Sequence, residues 1–158
     1  MNFEIVLMPA MIFIGTELHT TWKNNECMTA IPAFLEKQQR ENNVQKIPYK
    51  LYPDVVLNVY TNYTPDFSLT AGYYSLIQGS PVSKVTKVPH GMVVKEIPAA
   101  KYAVFTAKGP FATAVYKVWM EIWQNKEIQR TFTSDFEWYD AKSTNDENSI
   151  VKIYIAIK

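Results

Sequence analysis

The chain repeats its own pattern. A Pro-Ala pair, Pro9-Ala10, sits in an apolar, alternating stretch, and a second pair, Pro98-Ala99, sits in another such stretch at an offset of 89 residues. After each pair comes a segment with helical spacing and then two segments with strand character. A unit of about 80 residues that reads strand, helix, strand, strand cannot cover its own sheet alone and must pack on its twin. The expected fold class is therefore α+β. Two pseudo-symmetric half-units, about 1–82 and 83–158, are expected to form one domain with a mixed, mostly antiparallel sheet, two helices and a central ligand cleft, because the seam between such halves is a common place for one.

The elements can be placed one by one. Residues 3–18 read as a strand with Ile12, Ile14, Thr16 and Leu18 on one face of the pleat, Pro9 near its start and Gly15 a candidate bulge. Residues 29–42 put Ile31, Phe34, Leu35 and Gln38 at i, i+3, i+4, i+7 spacing, with Pro32 tolerable in a first turn and Glu36, Lys37, Gln39 and Arg40 toward water. Strands are predicted over 55–63 and 69–78 around the turn TPDFS, and the Gly, Ser and Pro of 78–91 mark a linker. The second half then predicts a strand over 92–107 and a helix over 111–125, where Val115, Val118, Trp119 and Ile122 share a face. Strands at 133–140 and 150–158 flank the polar loop KSTNDENS.

Charge and composition exclude several functions. With 16 Lys and Arg against 15 Asp and Glu, there is no single-sign field to hold a phosphate backbone, so no direct nucleic-acid binding is expected. No run approaches the roughly 20 apolar residues of a membrane helix, and the amino-terminal stretch lacks a basic leader. The single cysteine, Cys27, excludes an intramolecular disulfide and a cysteine-based zinc site and suits a reducing compartment, with the cytoplasm as the default. His19 and His90 lie in separate elements, and Glu17 with His19 reads as a surface pair on one strand face. Glycine-rich phosphate loops are missing, so neither metal nor cofactor is expected. Aromatic residues, in contrast, make up 14% of the chain, enough rigid ring surface to line a pocket as well as a core.

Five strings stand out in order: IPAFLEKQ at 31–38, VYTNYTPDFSLTAGYYSLIQG at 59–79, IPAAKYAVFTAKGPF at 97–111, VWMEIW at 118–123 and DFEWYD at 135–140. Together they resemble the GyrI-like family, the effector-binding domains of AraC- and MerR-type multidrug-responsive transcription regulators, which also occur as stand-alone proteins. The resemblance spans nearly the whole chain. It leaves no stretch of about 50 residues for the helix-turn-helix domain with which family members bind DNA, so a sensor without its own reader is expected. Leu35 stands where the first family helix often carries Trp, which implies a differently shaped pocket wall.

The string FEWYD carries the candidate chemistry. Alternation puts Phe136 and Trp138 on one face and Glu137 and Tyr139 on the other, and the resemblance implies that Glu137 points into the ligand cavity. A carboxylate among rings is costly to desolvate unless a cation or hydrogen-bond donors compensate it, so its pKa is expected to rise in the empty site. Rings around the same cation add about 0.5–2 kcal/mol each and accept varied shapes. Trp119 and Trp123, at i and i+4, offer one helical face as a pocket wall; Tyr60, Tyr63, Tyr73 and Tyr74 lie on the central hairpin, where only alternate members can face inward. The expected ligand-binding set is Glu137, Tyr73, Trp119, Tyr139, Trp123, Tyr60 and Phe34, with Phe105 assigned to the core.

The leading expectation is a non-enzymatic binder of amphipathic, cationic, aromatic small molecules that senses or sequesters them, with a regulator partner or a homodimer through a strand edge as further expectations. One alternative is hydrolysis of electrophilic small molecules with Glu137 as general base and a Tyr as proton donor. Another is inhibition of DNA gyrase by protein contact, for which the chain lacks a charged run to mark the surface.

Overall fold

A computed structural model describes residues 2–142 and 147–158; positions 143–146 of the loop KSTNDENS lie outside the described residues. Each half-unit contains strand, strand, helix, strand, strand. The first comprises β1 (Glu4–Met8), β2 (Met11–Thr20), α1 (Glu26–Arg40), β3 (Val55–Thr61) and β4 (Tyr74–Val82); the second comprises β5 (Val93–Ile97), β6 (Ala100–Gly109), α2 (Phe111–Gln124), β7 (Ser134–Asp140) and β8 (Ser149–Ile157).

The single opening strand expected in each half is two strands. The chain breaks at Pro9-Ala10 and at Pro98-Ala99, where proline supplies no amide to a ladder. The break lets the halves exchange strands. β1 pairs with β6 of the second half, and β5 pairs with β2 of the first. One eight-stranded sheet results, in the order β1-β6-β8-β7-β3-β4-β2-β5, and reversing that order exchanges each strand with its counterpart in the other half. Every named pairing is antiparallel. The centre of pseudo-symmetry is the β3/β7 pair, which joins the two halves.

The sheet is curled. Phe13 of β2 and Tyr102 of β6 belong to one buried cluster with Leu57, Val59, Ile77 and Phe136, although four strands separate β2 from β6 in the sheet. Only a sheet bent around that cluster can bring them together. The two strands approach closely at the facing pair Gly15 and Gly79, where a Cβ on Gly79 would collide with the Ile14 carbonyl oxygen and one on Gly15 with that of Gln78. Gly15 is thus not the bulge its sequence position suggests. The β2/β4 register runs through it without interruption, and the glycine serves close backbone approach.

Both helices lie on the other face. α2 packs on β6, and Ala114 and Ile122 join Ala103, Phe105, Val151 and Ile153 in a second cluster. α1 packs on β2 and β4. It begins at Glu26, earlier than its periodicity indicates, so Pro32 lies in the second turn and not the first. The bond lost there is the one its amide would have given to the Met28 carbonyl. Gln38 is buried while Glu36, Lys37, Gln39 and Arg40 are exposed, as the spacing indicates. Between the two helices the central strands β3 and β7 remain as a floor.

Two other boundaries move. β4 starts at Tyr74, not Leu69, because the hairpin connection through Gly72 consumes the earlier residues: Tyr73 accepts from the Thr64 amide, and Gly72 holds a φ of +74°. β4 also runs on to Val82, which moves the start of the linker into the residues after it.

Candidate functional site

The floor strands alternate cleanly. On β3, Val55, Leu57 and Val59 belong to the core within the curl, so Val56, Asn58 and Tyr60 face the helices. On β7, Phe136 belongs to the same core, and Glu137 and Tyr139 face the helices. Antiparallel register sets Asn58 directly opposite Glu137. Above this floor α1 contributes Ile31 and Leu35 and α2 contributes Val115, Trp119 and Trp123, and together they enclose a cavity of about 920 Å³. Its size suits a drug-sized organic molecule.

Glu137 is 3% exposed and lies at the base. Four side-chain donors reach it. Trp119 Nε1 donates to Oε2 at 2.6 Å, while Oε1 accepts from the Tyr139 hydroxyl at 2.7 Å, Asn58 Nδ2 at 3.2 Å and the Tyr60 hydroxyl at 3.3 Å. Gln78 Nε2 donates to Asn58 Oδ1 at 2.9 Å, which orients the Asn58 amide with its NH2 toward the carboxylate. Oε1 is crowded and Oε2 has acceptor capacity left. Burial pushes the Glu137 pKa up, and the bonds from Tyr139, Trp119, Asn58 and Tyr60 pull it back only in part. Desolvation also raises the Tyr60 and Tyr139 hydroxyls far above the usual phenol range, with the Glu137 charge adding to it, so both stay protonated donors.

A second carboxylate lies two residues earlier on β7. Asp135 is fully buried and accepts from Arg130 Nη2 at 2.8 Å, the Tyr63 hydroxyl at 2.7 Å and the Ala156 amide at 2.8 Å. Arg130 lines the cavity, and its Cζ lies 4.3 Å from the Phe132 ring centroid and 4.8 Å from that of Trp123. Phe132 holds a φ of +54°, a left-handed backbone that is strained for a bulky residue. Tyr63, Phe67, Tyr74 and Trp123 continue the aromatic wall around this end.

Of the residues singled out by sequence, the structure brings Glu137, Tyr139, Tyr60, Trp119 and Trp123 together around one cavity. Two do not belong to it. Tyr73 is 54% exposed and borders a shallow depression beside Thr21 and Lys23, because β4 begins one residue later and its inward parity falls on Tyr74, Leu76 and Gln78. Phe34 is partly buried but absent from the wall; neighbouring Leu35 lines the cavity on the adjacent helical face. Asn58, Gln78, Arg130 and Asp135 were missed. Asn58 left a signal, a lone amide within the apolar run VVLNVY, whereas Arg130 lies in the segment between α2 and β7, where no periodicity marks it. Glu17 and His19 form the expected surface pair, with Oε1 and Nε2 3.6 Å apart. Tyr102 and Phe105 are core residues.

Residues 4–157 match the family model of Cass2, described as an integron-associated effector binding protein. YobU of Bacillus subtilis (strain 168), named as a candidate transcriptional regulator protein, is 36% identical over 105 residues, which span 65% of this chain and 64% of YobU. The integron cassette protein VCH_CASS2 from the mobile metagenome of Vibrio cholerae superposes with a TM-score of 0.74 at 25% identity, covering 99% of this chain and 95% of that one. SAV2435, solved bound to tetraphenylphosphonium, superposes with a TM-score of 0.82 at 18% identity, covering 100% of this chain and 94% of that one.

Proposed function

Because the chain belongs to the Cass2 family of integron-associated effector-binding proteins, we propose that it binds amphipathic, cationic, aromatic small molecules between its two helices, as a sensor or sequestering protein linked to transcription regulation. One observation carries the reading: Glu137 is a buried carboxylate, ringed by aromatic side chains, whose four partners are all uncharged donors. Neutral donors soften the cost of burying the charge without cancelling it. A ligand cation placed among the rings supplies the missing Coulomb term in a setting of low dielectric, and the ring faces add to it. The fold shared with SAV2435, a protein that takes the lipophilic cation tetraphenylphosphonium, supports the same assignment.

In this reading the domain takes the ligand, and a regulator partner responds to its occupancy. A cytoplasmic location belongs to the same proposal; no helix among the described residues is long and apolar enough to cross a membrane.

Titration with tetraphenylphosphonium, followed by quenching of tryptophan fluorescence, tests the assignment. Trp119 and Trp123 lie in the wall and report occupancy directly. The wild type is expected to bind, and Glu137→Gln to lose about 100-fold in affinity, within the range for removing one partner of a desolvated charge pair. Equal affinity in the two proteins would remove Glu137 from the site.

A further inference from the structure

A polar row crosses the floor of the cavity. Strand register sets Gln78 of β4 opposite Asn58 of β3, and Asn58 opposite Glu137 of β7. The ionised carboxylate can only accept, so Asn58 turns its NH2 toward Glu137 Oε1 at 3.2 Å and presents Oδ1 on the other side. That oxygen also can only accept, and it takes Gln78 Nε2 at 2.9 Å. The direction of the relay is set at its charged end, and at the far end it leaves the Gln78 carbonyl oxygen, Oε1, as an acceptor. Oε1 has no hydrogen-bond partner among the described residues. Nor is it shut away: the described side-chain atoms that are both buried and unpartnered are Thr20 Oγ1 and two Arg130 nitrogens, and Gln78 is only partly buried. Its strand neighbours Ile77 and Gly79 are buried, so the surface that Gln78 keeps lies on the helix face of β4, where it lines the cavity.

We infer that Gln78 Oε1 is a second polar subsite, which takes an uncharged donor, a hydroxyl or an amine or amide N–H, on the part of the ligand remote from its cationic centre. The sign of the subsite follows from the relay. Were the Gln78 amide reversed, its oxygen would face Asn58 Oδ1, and two acceptors would meet with no proton between them. The spacing follows from the sheet: residues 78 and 137 are two inter-strand distances apart, about 10 Å. The charge goes to Glu137 and not to Gln78, because only the carboxylate offers a Coulomb interaction while the amide offers a single neutral acceptor. The ligand class is therefore a cation and a hydrogen-bond donor held apart by an aromatic system about 10 Å long. This inference rests on the cavity being the cation site proposed above.

Two quaternary ammonium ions isolate the donor: (4′-hydroxybiphenyl-4-yl)methyl-trimethylammonium and its 4′-methyl analogue, which differ by a hydroxyl in place of a methyl group. Each is titrated calorimetrically into the wild type, Gln78→Met and Gln78→Leu, and the quantity read in each protein is the ratio of the two affinities. Both substitutions free the Asn58 amide and are expected to weaken both compounds; that loss is common to the pair and cancels in the ratio. The wild type is expected to bind the hydroxy compound at least as tightly as the methyl one, and the ratio should fall by about fivefold in each variant, the scale of one net hydrogen bond between neutral groups. A wild type that binds the hydroxy compound more than about tenfold more weakly than the methyl one has left the hydroxyl desolvated and unmet. That result, which needs no variant to fold, overturns the subsite and leaves the cation site standing, and so does a ratio that is the same in all three proteins. Failure of the wild type to bind either compound overturns the cation site and the subsite with it.

Discussion

Asp135 and Glu137 share one face of β7, yet only Asp135 has a cation of its own. Both are buried, and both accept hydrogen bonds from a tyrosine. Asp135 has Arg130 at 2.8 Å and a backbone amide besides, so its charge is answered within the protein. Glu137 has an indole, two phenols and an amide, all neutral. One carboxylate completes a structure and the other leaves a Coulomb interaction unmade at the floor of a cavity. That difference separates a structural acid from a receptive one better than burial does, since burial is nearly the same for both.

The comparison can be broken most severely at Asp135. Arg130→Met strips the cation from a buried acid, and a loss of about 3–5 kcal/mol in unfolding free energy is expected, read from urea denaturation. A loss below about 1 kcal/mol would mean that Asp135 does not depend on its partner. Glu137→Gln removes a charge with no internal counter-ion, so its leading effect is the roughly 100-fold loss of cation affinity already set out, with a smaller change in stability. If instead Glu137→Gln destabilised the protein as much as Arg130→Met, the two acids would be doing the same work.

The raised pKa of Glu137 adds a pH signature. Above the ordinary carboxylate value the unfolded chain ionises first while the folded protein holds its proton. The ligand-free protein should therefore lose stability as pH rises from the ordinary value through the raised one, and then level off. Cation affinity should move the opposite way, falling as pH drops through the raised value and the carboxylate is neutralised. Glu137→Gln lacks both slopes, and thermal melts with and without tetraphenylphosphonium across pH 4 to roughly 8 would show whether the wild type has them. Tyr139→Phe deletes the 2.7 Å donor and should shift the midpoint of cation binding further up, since a bond that favours the charged form is gone. A downward shift would contradict the assigned role of the hydroxyl.

Much of this was legible in the chain, for identifiable reasons. The string FEWYD is short and straddles no turn, so alternation puts Phe136 and Glu137 on opposite faces, and it was the family resemblance that implied the cavity side for Glu137, where it is found. Trp119 and Trp123 are one helical turn apart and had to share a wall. The strand exchange was not legible. Proline is compatible with extended backbone, and Pro9 and Pro98 read as interruptions within a strand until the pairing of β1 with β6 shows that each marks a change of neighbour. Arg130 escaped because its place depends on the packing of Trp123 and Phe132 and not on any local period. The position of Glu137 is thus written in a strand, whereas the internal counter-ion of Asp135 is written in tertiary contacts.

The smallest expected effect lies at Tyr73, and it tests the parity on which the site depends. Sequence placed Tyr73 and Tyr74 on the same hairpin, where only one can face in, and assigned Tyr73 to the ligand-binding set. In the structure Tyr74 is buried, near Tyr60 and Phe67, while Tyr73 is half exposed outside the cavity. Tyr73→Ala should leave tetraphenylphosphonium affinity within about twofold and stability within about 0.5 kcal/mol, as for a surface change that leaves no polar group unmet. Tyr74→Phe is the paired variant: it keeps the ring and removes a hydroxyl that burial holds far above its usual pKa. It should change affinity modestly through the altered wall and leave the fold intact. A β4 shifted by one residue would reverse the pattern, because a single-residue slip sends every side chain of the strand to the opposite face. Tyr73 would then contribute to the wall and Gln78, which orients Asn58 toward Glu137, would leave it. Strong loss of binding in Tyr73→Ala with none in Tyr74→Phe would therefore displace not one tyrosine but the amide relay that holds the carboxylate.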